Sequence, residues 1–158
     1  MDFKSFGFSD PGKINKKNED SFLCNNDEGL FLVADGMGGH ASGEAASKLA
    51  INTVEEFITS SRAGDIKWPI PYRKELSLET NRILAGVYLG HIKIKEKSES
   101  DRSMKGMGTT IAGAIIDGHN LAIINVGDSR IYRIRNRAIK QLTTDHSLAM
   151  EHAKSGII

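Results

Sequence analysis

The stretch LFLVADGMGGHASGEAAS, residues 30–47, decides the fold of this chain. Its apolar first part, residues 30–34, predicts a strand that ends at Asp35, and a glycine-rich loop follows. From residue 43 to residue 60, apolar side chains recur at spacings of three and four, which predicts an amphipathic helix with one stripe toward a core. Ser42 is expected to be the N-cap of that helix.

The elements around this stretch predict a mostly antiparallel protein. A hairpin is expected between residues 21–24 and residues 30–34, because the intervening NNDEG ends in glycine and suits a turn. The other expected elements are a short strand at 3–8, a second helix at 74–97, and a meander of four strands at 109–116, 121–126, 130–135 and 138–143. Strands, then two helices, then strands predict an α+β fold with helices packed on sheets rather than alternating βαβ units.

Composition and charge indicate an ordinary globular domain. Of the 158 residues, 39% are hydrophobic and 26% are charged, which excludes a disordered chain or a coiled coil and suits one domain. The net charge of +1 gives no reason to expect a nucleic acid or a membrane as partner. The single cysteine, Cys24, excludes an intrachain disulfide, and no apolar run approaches the roughly 18 residues of a membrane span. A cytoplasmic location is therefore expected.

Two kinds of chemistry use a glycine-rich loop between a strand and a helix. Residues 36–41, GMGGHA, match the dinucleotide-binding spelling G-x-G-x-x-A. Such a site also needs a parallel strand after the helix, whereas a second helix is predicted here. The alternative is a metal site, since Asp35 and the Gly36 carbonyl are hard oxygen ligands that suit Mg²⁺ or Mn²⁺. Taken alone, this Asp-Gly pair is equally compatible with a turn.

Further acids are predicted to lie near Asp35. Asp20 lies just before the strand at 21–24, which pairs with the strand that ends in Asp35, and antiparallel pairing places the start of one strand beside the end of the other. The two carboxylates should therefore meet at one end of the sheet. Asp128, in the sequence NVGDSR, lies at another strand end. Together these acids favour the metal site over a simple turn.

Four motifs carry a resemblance to a known family. They are SDPGKINKKNED at 9–20, LFLVADGMGGHASGEAAS at 30–47, KGMGTTIAGAI at 105–115 and INVGDSRIYRIRNRAIKQLTTDHS at 124–147. In this order and spacing they resemble the bacterial branch of the metal-dependent protein phosphatases called PP2C or PPM. The resemblance implies an αββα sandwich of two antiparallel sheets flanked by helices. It also implies hydrolysis of phosphoserine and phosphothreonine in proteins by a metal-bound hydroxide, with kinase products as substrates.

The same resemblance implies two Mn²⁺ or Mg²⁺ ions, with a third, weaker ion in bacterial members. The metal-binding residues would be Asp35, Gly36 through its carbonyl, Asp20, Asp128 and Glu19. Asp35 would bridge the two ions, Asp20 would hold metal-bound water, and Asp128 would bind the third ion. His40 would be the catalytic general acid that protonates the leaving serine or threonine oxygen.

The chain departs from the family pattern in two places. Asn15 stands where bacterial members carry an arginine that binds the substrate phosphate. Lys16 and Lys17 are candidates to compensate, although lysines around a loop also suit a solvated basic face. The aspartates of the SDG and GxxDN motifs, which complete the second metal site in the family, are absent from the 158 residues.

Residues 1–158 are therefore interpreted as a single PPM-type phosphatase domain that is incomplete at its carboxyl terminus. Such a chain is expected to bind the second metal poorly and to be nearly inactive alone. The alternative is a catalytically silent module that binds phosphoproteins or regulates them.

Overall fold

The computed structural model describes residues 3–13, 17–38, 41–64 and 66–146. Within these ranges the elements, in chain order, are β1 (Asp20–Asn25), β2 (Leu30–Met37), α1 (Ala41–Ala63), α2 (Leu78–Ser100), a 3₁₀ turn (Arg102–Met104), β3 (Gly108–Thr109), β4 (Ile111–Asp117), β5 (Asn120–Val126), β6 (Tyr132–Arg135) and β7 (Ala138–Gln141). None of the helices in this part of the chain is both long enough and apolar enough to cross a membrane.

The strands form a main antiparallel sheet and a separate hairpin. The main sheet has the order β1-β2-β4-β5, and the short β3 pairs with the far end of β2. Strands β6 and β7 pair only with each other within the described residues. The predicted antiparallel α+β fold and the predicted hairpin of β1 and β2 are both confirmed.

The core lies between one face of the main sheet and the two helices. Alternate residues of β2 point to this face, because successive side chains of a strand lie on opposite sides. The buried apolar cluster consists of Leu30, Leu32, Ala34, Ala50, Ile51, Val54, Ile58, Ile83, Ile111, Ile115 and Ala122. Gly86 of α2 lies against Val54 of α1, and a Cβ there would lie 3.3 Å from the Val54 Cα, so glycine allows the helices to approach closely.

The opposite face of the main sheet is also apolar and is only partly covered. Phe22 and Val33 on this face are 43% and 46% exposed. Residues 3–8 cross the face, where the Phe3 ring meets the Phe31 ring edge to face, and Tyr132 of β6 borders the same cleft of about 630 Å³. An apolar sheet with helices on one face and a second strand pair near the other matches the sandwich architecture that the resemblance implies.

Residues 3–8 do not form the predicted strand. They lie across the face of β1 and are held there by side chains rather than by a backbone ladder at its edge. Gly7 packs against the Phe22 ring so closely that a Cβ would overlap it, and the Ser5 hydroxyl donates to Asn26 Oδ1 at 2.6 Å.

The predicted helix starts are wrong by a few residues. Helix α1 begins at Ala41, so Ser42 lies inside its first turn instead of capping it. Helix α2 begins at Leu78 rather than at residue 74, and Ser77 is its cap, accepting a hydrogen bond from the Thr80 amide. Residues 74–77 stay outside the helix because the buried Asn81 amide donates to carbonyls of this segment.

The predicted meander of four strands is also wrong at one corner. The step from β4 to β5 is a tight hairpin, but β6 does not pair with β5 within the described residues. The segment between them passes through Gly127, whose φ of +103° favours glycine, and turns the chain away from the main sheet.

Candidate metal centre

Two aspartates face each other at one end of the main sheet. The register of β1 and β2 places Asp20 directly opposite Asp35, as the hairpin predicted. Both residues are exposed. Directly opposite residues on antiparallel strands have Cβ atoms about 4.5–5.5 Å apart, so their negative charges repel. This pairing is unfavourable unless a bound cation neutralises the two carboxylates.

The pKa of Asp35 shows that more than two acids converge here. It is raised by burial first, then by the charge of Asp20 and hydrogen bonding to it, and then by the charges of Asp128 and Glu19. Asp20, Asp128 and Glu19, the other acids proposed from the sequence, therefore all lie within electrostatic range of Asp35. Every contribution to the shift raises the pKa, which means that the charges acting on Asp35 are negative.

The backbone of Asp35 is fixed by two threonines of the KGMGTT motif. The Asp35 carbonyl accepts hydrogen bonds from the Thr109 hydroxyl and the Thr110 amide, both at 2.9 Å. The Asp35 amide donates to Thr110 Oγ1 at 3.0 Å. Both backbone groups of this acid are thus satisfied by neighbouring protein groups. Its carboxylate therefore extends from a strand end whose backbone is fixed by these hydrogen bonds.

Glycines bring the end of β2 against the first turn of α1. A Cβ on Gly36 would overlap the carbonyl oxygen of Gly43, and a Cβ on Gly43 would overlap the carboxylate of Glu19. Glycine at position 36 is required for this approach because the clash there is with backbone, whereas the closest clash at position 43 is with the end of the Glu19 side chain. The acids consequently lie beside a helix N-terminus, whose dipole favours negative charge.

Ser47 anchors Glu19 and the start of β1 to α1. This buried hydroxyl donates to the Glu19 carbonyl at 2.6 Å and lies 2.9 Å from the Ser21 hydroxyl. Glu19 and Ser21 flank the first acid of β1, so the position of that acid is set by the helix as well as by the sheet.

Asp128 lies in the loop between β5 and β6, and this loop is fixed by contacts with residues 145 and 146. Arg130 Nε donates to Asp145 Oδ1 at 2.9 Å, and the Gly127 carbonyl accepts from the His146 amide, also at 2.9 Å. The buried Asp145 is a structural residue that the sequence reasoning did not assign. The available signal was position, because residues 130 and 145 flank the two ends of the β6–β7 hairpin and such ends lie close together.

Several predicted site residues cannot be placed. His40, the proposed general acid, and the phosphate-binding candidates Asn15 and Lys16 lie outside the described residues. Lys17 is exposed, and its charge contributes to lowering the pKa of Glu44 in the first turn of α1, after the larger effect of Lys48. That contribution places Lys17 near the start of α1.

The candidate ligands among the described residues are oxygen atoms, the type of ligand that a hard divalent cation binds. Carboxylate and carbonyl oxygens suit Mg²⁺ and Mn²⁺, and Mg²⁺ is commonly bound by one or two carboxylates with water completing its shell. In the described ranges, however, no three His, Cys, Asp or Glu side chains are grouped closely enough to hold an ion by themselves. A dinucleotide-binding site needs a parallel strand after the helix, but every strand pair in this part of the chain is antiparallel.

The chain is similar to known phosphatases over nearly its whole length. The family described as Protein phosphatase 2C matches residues 13–155. The serine/threonine phosphatase stp of Listeria welshimeri is 36% identical, and the match covers 95% of this chain and 57% of that protein. This chain therefore spans little more than half the length of that curated relative.

Solved structures agree with these matches. The S. agalactiae serine/threonine phosphatase is 34% identical with a TM-score of 0.76, covering 96% of this chain and 59% of that one. The catalytic domain of the serine threonine protein phosphatase PstP in complex with two manganese ions is 31% identical with a TM-score of 0.75, covering 96% of this chain and 59% of that one. On this evidence the chain belongs to the protein phosphatase 2C family.

Proposed function

We propose that this chain carries much of the catalytic centre of a metal-dependent phosphatase that acts on phosphoserine and phosphothreonine in proteins. The observation that carries the proposal is the pair of exposed carboxylates, Asp20 and Asp35, set opposite each other at the end of β1 and β2. The names of the relatives support the reaction class, and the manganese in one related structure supports the type of metal.

The residues that would hold the ions are those at this sheet end. Asp35, Asp20 and the Gly36 carbonyl would bind the main Mn²⁺ or Mg²⁺ pair with Glu19 beside them, and Asp128 would serve a third ion. When bound, such ions activate water for attack on phosphorus and stabilise charge on the phosphoryl oxygens.

Other residues of the chain would act on the substrate. His40 is proposed to donate a proton to the leaving serine or threonine oxygen, a role worth about 10²- to 10⁴-fold in rate. Asn15, Lys16 and Lys17 are proposed to contact the phosphate. Because the Asp20–Asp35 pair is exposed at the end of the sheet, a side chain on the surface of a folded phosphoprotein can reach it.

The chain covers only part of the length of its relatives, and this limits the activity that we expect from it alone. We propose that residues 1–158 are one part of a single PPM-type domain, because the match covers 57% of the stp phosphatase. Further ligands to the second ion would then come from outside these residues. The chain alone is therefore expected to bind the second ion weakly and to turn over slowly. A cytoplasmic location remains a prediction.

One observation favours a second candidate, a catalytically silent module that binds phosphoproteins. Among the described residues, no group of three acid or histidine side chains is assembled for a metal. The two candidates differ in whether the chain binds Mn²⁺ at all, so metal binding and Mn²⁺-dependent hydrolysis together separate them.

The test measures Mn²⁺ binding by calorimetry and hydrolysis of a phosphothreonine peptide by the 158-residue chain. Asp35→Asn and Asp20→Asn should each abolish tight binding and any turnover. Asp117→Asn is the matched control, since this exposed aspartate ends β4 at the opposite end of the sheet and should change neither. Peptide binding without any Mn²⁺ binding would support the silent module instead, because an incomplete centre should still bind one ion. Turnover that survives Asp35→Asn would contradict the proposed centre.

A further inference from the structure

The hydroxyl of Thr110 lies between the two segments that carry Asp35 and Asp128. It accepts a hydrogen bond from the Asp35 amide at 3.0 Å. It also lies 2.6 Å from the hydroxyl of Ser129, the residue that follows Asp128. A hydroxyl has one proton and two lone pairs, so it can make both bonds at once. One side chain thus connects the end of β2 to the loop after β5.

This hydroxyl takes the place of a ladder hydrogen bond. Val33 pairs with Ala112 and Gly36 pairs with Thr109, so in the same register Asp35 lies opposite Thr110. The Thr110 amide donates to the Asp35 carbonyl at 2.9 Å, as in a regular antiparallel pair. The reciprocal bond from the Asp35 amide goes to Thr110 Oγ1 instead of the Thr110 carbonyl.

The carbonyl left over by this exchange has another partner. The Thr110 carbonyl lies 2.9 Å from the Thr109 hydroxyl, whose single proton is shared with the Asp35 carbonyl at the same distance. At Asp35, the acid-bearing residue, the Thr110 hydroxyl therefore replaces the Thr110 carbonyl as the acceptor of one backbone hydrogen bond of the sheet.

The methyl group of Thr110 makes a second contact with the Asp128 loop. A Cβ on Gly127 would lie 2.7 Å from Thr110 Cγ2, and Gly127 has a φ of +103°. The loop therefore packs on the methyl group of this threonine while Ser129 binds its hydroxyl. Serine at position 110 would keep only the hydroxyl, and valine would keep only the shape.

We infer that Thr110 is a positioning residue that fixes the Asp128 loop against the Asp35 strand. It touches neither a substrate nor a reacting atom in this arrangement. Its effect on metal binding rests on the proposed function, whereas its effect on the order of the loop does not. The Arg130–Asp145 and His146 contacts of the loop do not involve Thr110, so the effect of changing Thr110 should be local rather than a loss of the fold.

The experiment compares Thr110→Val with Thr110→Ser in the 158-residue chain. Without metal, ¹⁵N relaxation should show the amide order parameters of Asp128 and Ser129 falling from about 0.85 toward 0.6 in the valine variant. The serine variant should stay close to the unsubstituted chain. In calorimetric titrations, Mn²⁺ should bind roughly three- to tenfold more weakly to the valine variant, which corresponds to the loss of one hydrogen bond.

Two further variants control the result. Ser129→Ala removes the partner hydroxyl from a partly exposed position, and it should loosen the loop as the valine variant does. The double variant should be no worse than Thr110→Val alone, since both changes remove the same bond. Thr53→Val removes a buried hydroxyl of α1, far from this loop in the chain, and should change neither measurement.

Unchanged loop order in both Thr110→Val and Ser129→Ala would overturn the inference, as would equal loosening by Thr110→Ser and Thr110→Val. If the unsubstituted chain binds no Mn²⁺, the proposed function fails, but the metal-free relaxation data still decide the role of Thr110.

Discussion

Replacing Asp35 with asparagine should stabilise the metal-free chain while removing its ability to bind a cation. Asp35 lies opposite Asp20, and like charges directly opposite on neighbouring strands destabilise a sheet by roughly 0.2–1 kcal/mol. Asparagine keeps the size of the side chain and removes the charge. For a chain of this length the gain corresponds to a rise in Tm of roughly 1–4 °C.

The pH dependence of this gain follows from the raised pKa of Asp35. The folded chain holds this proton more tightly than the unfolded chain does. The contribution of the group to stability is therefore full below its ordinary pKa of 3.8 and is lost as the pH rises through the folded value. The Tm difference between Asp35→Asn and the unsubstituted chain should accordingly be smallest below the ordinary pKa of 3.8 and should grow as the pH rises through the folded value.

Metal should reverse the order of the two proteins. An ion at a hundredfold excess over its Kd stabilises the folded state by about 2.7 kcal/mol, which exceeds the gain from removing the charge. In Mn²⁺ the unsubstituted chain should therefore melt above Asp35→Asn, and in EDTA below it. The assay is thermal unfolding by circular dichroism in both buffers, at low salt and at 1 M NaCl, where screening should shrink the EDTA difference. The charge argument is refuted if Asp35→Asn melts lower than the unsubstituted chain in EDTA at both salt concentrations.

Three further predictions concern the surroundings of the centre. Gly36→Ala should lower the free energy of unfolding by roughly 1–3 kcal/mol, because its Cβ meets backbone; Gly43→Ala should cost less, because its closest clash is with the end of a side chain. Denaturant titration of both variants checks the order. Asp145→Asn should lower Tm at neutral pH, and thermal unfolding over a pH series should show this difference shrinking as the pH falls through the folded value, because hydrogen bonding to Arg130 lowers the pKa of Asp145. Thr53→Val should raise the free energy of unfolding by roughly 1 kcal/mol, since the buried hydroxyl has no hydrogen-bond partner among the described residues; an unchanged urea midpoint would argue that water or an undescribed residue satisfies it.

The acid pair was predictable because a short loop fixes the register of a hairpin. Residues 26–29 connect β1 to β2, so Asn25 pairs with Leu30 and each step outward is then determined as far as Asp20 and Asp35. Local sequence was sufficient here because the decisive contacts are close along the chain.

The Asp128 loop was not predictable in the same way. Its position depends on the Thr110–Ser129 contact, nineteen residues apart, and on the Arg130–Asp145 pair, fifteen residues apart. The Thr110–Ser129 contact has no periodicity or turn signature that would reveal it, and the Arg130–Asp145 pair is indicated only by its position at the two ends of the β6–β7 hairpin. The sequence of β5 followed by GDSR therefore suggested one more hairpin, whereas the long-range contacts direct the chain away from the sheet.

The two ends of β2 carry opposite kinds of charge arrangement. Just before its start, Glu28 binds Arg62, which also binds Glu79 at 3.0 Å, and these partly buried pairs join the hairpin to both helices. Near its other end Asp35 meets only like charges among those that shift its pKa. Six residues of extended chain separate Gly29 from Asp35, about 20 Å.

That separation exceeds the Debye length of about 8–10 Å, so the ion pairs at one end cannot offset the repulsion at the other. The apolar core along β2 and the hydrogen bonds on the Asp35 backbone offset the repulsion instead. A chain built this way keeps its fold without a metal and gains further stability when a cation neutralises the acids. Stability and the proposed metal binding thus reside at opposite ends of one strand, and a substitution at the Arg62 end should change Tm without changing the affinity for Mn²⁺.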